Sequence, residues 1–109
     1  MTAPRLRELP RHRVCGRTVP VAHSFPSRLL GLAGLDPEEA GAGLLIPRCA
    51  SVHTFGMRFD LDLVFLDRHD RPLAVHHGVP PRRLLWHRGA AAVLEIPSGR
   101  GESPAPPPT

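Results

Sequence analysis

The fold of this chain is decided by the stretch Leu61-Asp62-Leu63-Val64-Phe65-Leu66, in which every residue except the aspartate is apolar. A short run of this kind, rich in branched and aromatic residues, predicts a β-strand with both faces covered. The polar segment 67–72 and the run 73–77 predict a turn and an antiparallel return. Two further largely apolar runs lie at 44–46 and 90–96. We therefore predict a mostly β fold, antiparallel and barrel- or sandwich-like.

Length and composition exclude several classes of protein. The chain has 109 residues, and its 14 basic residues are all arginine against 10 acidic ones, for a net charge of +4. No apolar run approaches the ~20 residues of a membrane helix. Two cysteines are too few for a disulfide scaffold. The first residues lack the apolar stretch of a secretory signal, so we expect a cytoplasmic protein with reduced thiols.

Changes in composition along the chain predict three regions. Residues 1–11 are rich in charge and proline, which predicts a flexible N-terminal arm. Residues 12–100 hold the apolar runs and form the predicted single β-rich domain. Residues 101–109 are rich in proline and lack core residues, which predicts a disordered tail.

One short helix is predicted near the start of the domain. Ser27 favours a helix start before residues 28–33, and Gly34 favours its end. Asp36 favours a further helical turn at 37–40. The side chains expected in the core are Leu44, Ile46, Val52, Leu63, Phe65, Val75, Leu94 and Ile96.

The densest group of polar side chains lies between residues 49 and 62. If residues 49–55 form a strand, Cys49, Ser51 and His53 share one face of it. A four-residue turn at 56–59 would then lay Asp62 opposite His53, where the two side chains could form a hydrogen bond. The predicted ligand-binding residues are Cys49, Ser51, His53, Met57 and Asp62.

Several interpretations of this group are open. The one we favour over an enzyme with a defined mechanism is a face that binds a small ligand or a protein partner without a cofactor or a metal. Alternatively, Cys49, His53 and Asp62 could act as nucleophile, base and orienting acid, or as three metal ligands, in a thiol-based or metal-dependent hydrolase. The structural interpretation is a His–Asp hydrogen bond that fixes a hairpin.

An aromatic residue lies among arginines in the segment 82–88: Trp86 is flanked by Arg82, Arg83 and Arg88. This group would suit nucleic-acid binding. The arginines of the chain as a whole are scattered, however, and we expect a solvated surface instead.

Glu95 is the single charged residue in the otherwise apolar run 90–96. It could point into a polar pocket, but we expect it in solvent or paired with an arginine.

Five runs of the sequence resemble, in order, the family called Domain of Unknown Function 192: Ser27-Arg28-Leu29-Leu30-Gly31-Leu32, Gly43-Leu44-Leu45-Ile46-Pro47-Arg48-Cys49, Ser51-Val52-His53-Thr54-Phe55-Gly56-Met57-Arg58-Phe59, Leu61-Asp62-Leu63-Val64-Phe65-Leu66-Asp67 and Ala92-Val93-Leu94-Glu95-Ile96-Pro97-Ser98-Gly99. The resemblance spans about residues 27–100. It implies a compact β domain, barrel- or sandwich-like, with one short helix near its start. It implies no established reaction.

Overall fold

The computed structural model describes residues 2–99. This part of the chain holds three short helices, α1 Pro4–Arg7, α2 Phe25–Leu30 and α3 Pro37–Ala40. It also holds eight strands, which are β1 Arg11–Val14, β2 Arg17–Pro20, β3 Leu44–Pro47, β4 Ser51–His53, β5 Leu61–Leu66, β6 Pro72–Val79, β7 Leu84–Trp86 and β8 Ala92–Pro97. The prediction of a mostly β, antiparallel fold is confirmed.

The largest sheet has the strand order β3-β8-β5-β6, and its neighbouring strands are all antiparallel. β5 lies inside the sheet, where Phe65 is opposite Val93 on β8 and Ala74 on β6. All six residues of β5 are buried. The hairpin and the double-sided cover predicted for this strand are both confirmed.

Two smaller sheets complete the architecture. β1 and β2 form a hairpin, and β4 pairs with the distant β7. A parallel bridge between Val21 and Leu45 connects the segment after β2 to the large sheet. The sheets of residues 2–99 do not close into a barrel. None of the helices in these residues is long and apolar enough to span a membrane.

Both faces of the large sheet carry a hydrophobic core. Phe65 and Val93 point to one face, which is covered by Leu6 and Leu32. The opposite face holds the alternate residues of the same strands, together with Val19. Of the eight predicted core residues all are buried except Val75, which is half-buried and packs against the second core.

The first predicted helix begins earlier than expected. α2 begins after Ser24, whose Oγ accepts a hydrogen bond from the Ser27 amide at 3.1 Å, and it ends at Gly31 rather than at Gly34. Ser24 is the better cap because Pro26 follows it within the first turn, where a missing N–H costs nothing. α3 begins after Asp36 as predicted, and the Glu39 side chain accepts a hydrogen bond from the Asp36 amide at 3.0 Å.

The N-terminal segment, expected as a flexible arm, contributes to the core. Leu6 on α1 is 2% exposed and packs in the core beside Leu32. The Arg5 side chain donates hydrogen bonds to the carbonyls of Gly31 and Ala33, at 3.1 and 2.7 Å. Charges and prolines dominate the composition of this segment and mask the apolar residues that anchor it, Ala3, Leu6 and Leu9. The predicted tail, residues 101–109, lies outside the described residues.

Candidate functional site

The predicted pairing of His53 with Asp62 is wrong. β4 pairs with β7, which places Leu84 opposite His53. Asp62 lies on β5, whose two edges are already occupied by β6 and β8. Since β5 is apolar along nearly its whole length, it is buried inside the sheet and offers no edge to β4.

Asp62 instead holds together the strands around it. Its Oδ1 accepts hydrogen bonds from the Gly78 amide at 2.9 Å and from Ser98 Oγ at 2.7 Å, while Oδ2 lies 3.5 Å from His77 Nδ1. Gly78 has a φ of +63° beside a shift in the β5–β6 register, so its amide is available to a side chain. The carboxylate therefore connects β5 to a bulge in β6 and to the end of β8.

This arrangement separates the residues of the predicted hydrolase. Cys49 and His53 lie near one another, but Asp62 does not complete a set with them. Within residues 2–99, no group of three or more His, Cys, Asp or Glu side chains is placed to hold a metal ion. The triad and the three-ligand site that the sequence left open are therefore not assembled in the described part of the chain.

The other four predicted residues line one cleft of about 240 Å³, formed by α2, β4, β7 and β8. Its apolar wall includes Leu30, Ile46, Val52, Met57 and Leu84. Its polar lining consists of Arg28, Cys49, Ser51, His53 and Glu95. We call this space the α2–β8 cleft. Ser51 and His53 share a face of β4, as expected from strand alternation.

Glu95 is the residue of this cleft that the sequence analysis misplaced. It is 2% exposed, whereas solvent or an arginine pair was expected. The alternation of β8 directs it to the same side of the sheet as Val93, beneath α2. Burial raises the pKa of Glu95 to about 7, against the opposing effect of a hydrogen bond from the Leu32 amide.

Gly31 allows the carboxyl group of Glu95 to lie against the end of α2. A Cβ at this position would stand 2.8 Å from Glu95 Oε1, closer than Cβ atoms approach other heavy atoms. Gly31 also has φ 54° and ψ −131°, a region that residues with a side chain rarely occupy. The end of α2 is thus shaped by the acid beneath it, and because Gly31 and Glu95 lie far apart in the sequence, no local pattern connects them.

The hydrogen bonding of His53 determines what its ring offers to the cleft. Nε2 lies 3.1 Å from the Leu29 carbonyl oxygen, and this oxygen can only accept. Nε2 therefore carries the hydrogen of the neutral ring, and Nδ1 carries a lone pair. The ring also packs against Phe55, with centroids 5.9 Å apart.

Arg28 and Cys49 are each held by one hydrogen bond to the backbone. The Arg28 guanidinium donates to the Arg48 carbonyl at 2.6 Å, and the Cys49 thiol donates to the Ser51 carbonyl at 2.7 Å. These contacts place both side chains at the wall of the cleft and hold them in position.

The cleft also collects polar atoms that lack a partner. Four buried side-chain nitrogen or oxygen atoms of the described residues have no hydrogen-bond partner, and three of them belong to the cleft: Arg28 Nε, His53 Nδ1 and Glu95 Oε1. Buried polar atoms without a partner are rare because each costs about 1–3 kcal/mol. Their concentration in one place therefore calls for an explanation.

Large apolar side chains are exposed around the same cleft. Leu84 is 60% and Trp86 is 70% exposed, and they lie on β7 opposite His53 and Ser51. Phe55 and Leu29, which contact His53, are also more than half exposed. These four residues form an apolar rim beside the polar lining. Arg82, Arg83 and Arg88 are exposed on either side of β7.

Comparison with known protein families identifies the family of this chain. The family model of DUF192, described as Uncharacterized ACR, matches residues 10–103 and so covers most of the chain. The chain belongs to the DUF192 family. The resemblance seen in the sequence is thereby confirmed. No curated protein matches this DUF192 protein.

Two crystal structures are similar to this DUF192 protein. A protein of unknown function from Novosphingobium aromaticivorans DSM 12444 is 21% identical with a TM-score of 0.60, and the match covers 84% of each chain. A protein described as a candidate transcription regulator from Sinorhizobium meliloti 1021 is 22% identical with a TM-score of 0.62, over 83% of this chain and 79% of that chain. At these identities the likeness concerns the fold alone.

Proposed function

We propose that this DUF192 protein binds a small organic ligand in the α2–β8 cleft. The observation that carries the proposal is that Arg28, His53 and Glu95, which line one concave space, each hold a buried polar atom without a partner among the described residues. A ligand that pairs with them would recover the free energy that their burial costs. Mostly apolar pockets with a few convergent polar groups are the usual form of a small-molecule site.

The size and the lining of the cleft restrict the ligand. Its volume of about 240 Å³ lies just below the ~300–1,000 Å³ of typical ligand pockets, so the ligand is small. The wall formed by Ile46 and Met57 suits a short apolar segment. The exposed rim, with Leu84 and Trp86, would cover any part of the ligand that extends out of the cleft.

The experiment that tests this proposal is a fragment screen by two-dimensional amide NMR. We expect some fragments to shift the amide resonances of the cleft, among them those of Gly31 and His53, and to leave the resonances of the 67–72 turn unchanged. His53→Ala should abolish these shifts, while the matched control His69→Ala, at an exposed position in that turn, should preserve them. A diverse library that shifts no cleft resonance would contradict the proposal.

A second candidate function, nucleic-acid binding, has one observation in its favour. Trp86 is 70% exposed, and the arginines Arg82, Arg83 and Arg88 are exposed beside it. Stacking on an aromatic ring with arginine contacts to phosphates is a common way to bind single strands. If this surface binds RNA or DNA, affinity should fall steeply with salt, and Arg83→Ala should reduce the salt slope by about one. A chain that shows no fluorescence-anisotropy change with oligonucleotides at low salt does not have this function.

A further inference from the structure

We infer that the ligand of the α2–β8 cleft is a small zwitterion of the amino-acid type, with its ammonium group against Glu95 and His53 and its carboxylate against Arg28. This inference rests on the proposed function and names the class of ligand. The donors and acceptors that the cleft leaves unused define this class.

The unused acceptors call for a group with several N–H donors. His53 Nδ1 carries a lone pair, because Nε2 holds the ring hydrogen toward the Leu29 carbonyl. Glu95 Oε1 is the second acceptor, and within residues 2–99 neither atom has a partner. An ammonium group has three donors and no acceptor. One such group can pair with both atoms, whereas a hydroxyl group has a single hydrogen and leaves one of them unpaired.

The charge of Glu95 favours the same group. A buried carboxylate without a cation is costly. The described contacts of the Glu95 carboxyl group are a hydrogen bond from the Leu32 amide and the neighbouring backbone of Gly31. A ligand ammonium supplies the positive charge and displaces no existing contact. The pairing therefore gains both the hydrogen bonds and the Coulomb attraction.

The unused donor calls for an anion at the other end of the ligand. Arg28 already donates one terminal N–H to the Arg48 carbonyl, and its Nε–H is buried in the described structure without an acceptor. Guanidinium groups bind carboxylates with directional hydrogen bonds. Between the charged ends, Ile46 and Met57 offer an apolar wall for a short aliphatic segment. A ligand that has a cationic donor, an anionic acceptor and a small volume is an amino acid of a few carbons.

The pairing makes binding depend on pH through Glu95. The other titratable or charged groups near it are Arg28 on α2, Cys49 and His53 beside and on β4, and Arg5 on α1, which contacts the Gly31 carbonyl. Because burial raises the pKa of Glu95 to about 7, about a tenth of the carboxyl groups are ionised at pH 6 and about nine tenths at pH 8. Affinity for an ammonium ligand should therefore rise about tenfold between these pH values.

The test is an NMR titration of the full chain with glycine, β-alanine and 4-aminobutyrate, which differ in the separation of their charges. Butylamine and butyrate serve as analogues that each lack one charge. We expect at least one amino acid to bind the cleft, and both analogues to bind at least tenfold more weakly than it does. The rise in affinity from pH 6 to pH 8 should be several-fold smaller in Glu95→Gln than in the wild type. It should persist in the matched control Glu38→Gln, an exposed acid on α3.

A second variant keeps the inference testable if Glu95→Gln does not fold. Arg28→Gln should weaken the amino acid at least tenfold and leave butylamine unchanged. Butyrate or a neutral fragment that binds the cleft better than every amino acid would overturn the inference and leave the proposed function standing. Failure of all amino acids to bind also overturns it, while the fragment screen judges the proposed function separately. A rise in affinity that is as large in Glu95→Gln as in the wild type would refute the assignment of the ammonium to Glu95.

Discussion

Replacing Glu95 with glutamine should make the protein progressively more stable relative to the wild type as the pH rises from 5 to 8. The substitution keeps the shape of the side chain and its ability to accept the hydrogen bond from the Leu32 amide. It removes the proton that the buried carboxyl group binds. The difference in the free energy of unfolding between variant and wild type therefore isolates the titration of one group.

The sign follows from the two states of the chain. Burial raises the pKa of Glu95 from 4.5 to about 7. Below the lower value the carboxyl group is protonated whether the chain is folded or unfolded. As the pH rises, the unfolded chain releases this proton first, so the wild type loses stability until the folded chain has also released it. The full loss is about 3 kcal/mol, and most of it falls between pH 5 and pH 8.

The assay is urea unfolding of the wild type and of Glu95→Gln at half-unit steps from pH 5 to pH 8. The variant should gain about 2–3 kcal/mol on the wild type across this range, which corresponds to roughly 10 °C in Tm for a chain of this size. The side-chain amide introduced by Glu95→Gln has buried hydrogens without a partner, which change the free energy of unfolding by an amount that does not depend on pH. The measured quantity is therefore how the difference between variant and wild type changes with pH. Glu38→Gln should show no such gain. A difference between Glu95→Gln and wild type that stays flat with pH would refute the burial of an ionisable acid at this position.

Further substitutions test the packing around the cleft and the large sheet. Gly31→Ala should cost about 2–4 kcal/mol in thermal unfolding, because its Cβ would lie 2.8 Å from Glu95 Oε1 and its backbone would be strained. Gly34 has a φ of 79° and no described atom near an added Cβ. Gly34→Ala should therefore show the backbone strain alone, about 1 kcal/mol. Asp62→Ala should cost about 2–4 kcal/mol in chemical unfolding because two donors lose their acceptor, and the exposed Asp60→Ala should stay within about 0.5 kcal/mol; equal losses would contradict this account. Phe65→Ala should cost about 3–5 kcal/mol, and an unchanged urea midpoint would contradict its burial.

The sequence alone predicts those parts of the fold that depend on neighbours along the chain. β5, its turn and β6 form a local hairpin, and the apolar run of β5 already reveals a strand covered on both faces. The helix after Asp36 is equally local, since its start is set by two side chains three residues apart. Periodicity and turn chemistry are sufficient in these cases.

The parts that sequence reasoning missed depend on partners far along the chain. β4 pairs with β7 about thirty residues later, and no local pattern distinguishes this partner from the nearer β5. For the same reason only part of the predicted set lies together: Cys49, Ser51, His53 and Met57 line one cleft, whereas the acid in that cleft is Glu95 and not Asp62. Alternation along β8 shows that Glu95 and Val93 share a face, but only the position of α2 shows that this face is covered.

The anchoring of α1 connects the first residues of the chain to the back of the cleft. Arg5 holds the carbonyls of Gly31 and Ala33, and Leu6 is the buried contact that keeps α1 in place. A helix of four residues has almost no stability of its own. We therefore expect α1 to undock at a lower free energy than the sheet unfolds, and to release the segment that carries Gly31 when it does. In hydrogen-exchange terms, the Leu32 amide should exchange through this local opening, well before the amides of β5.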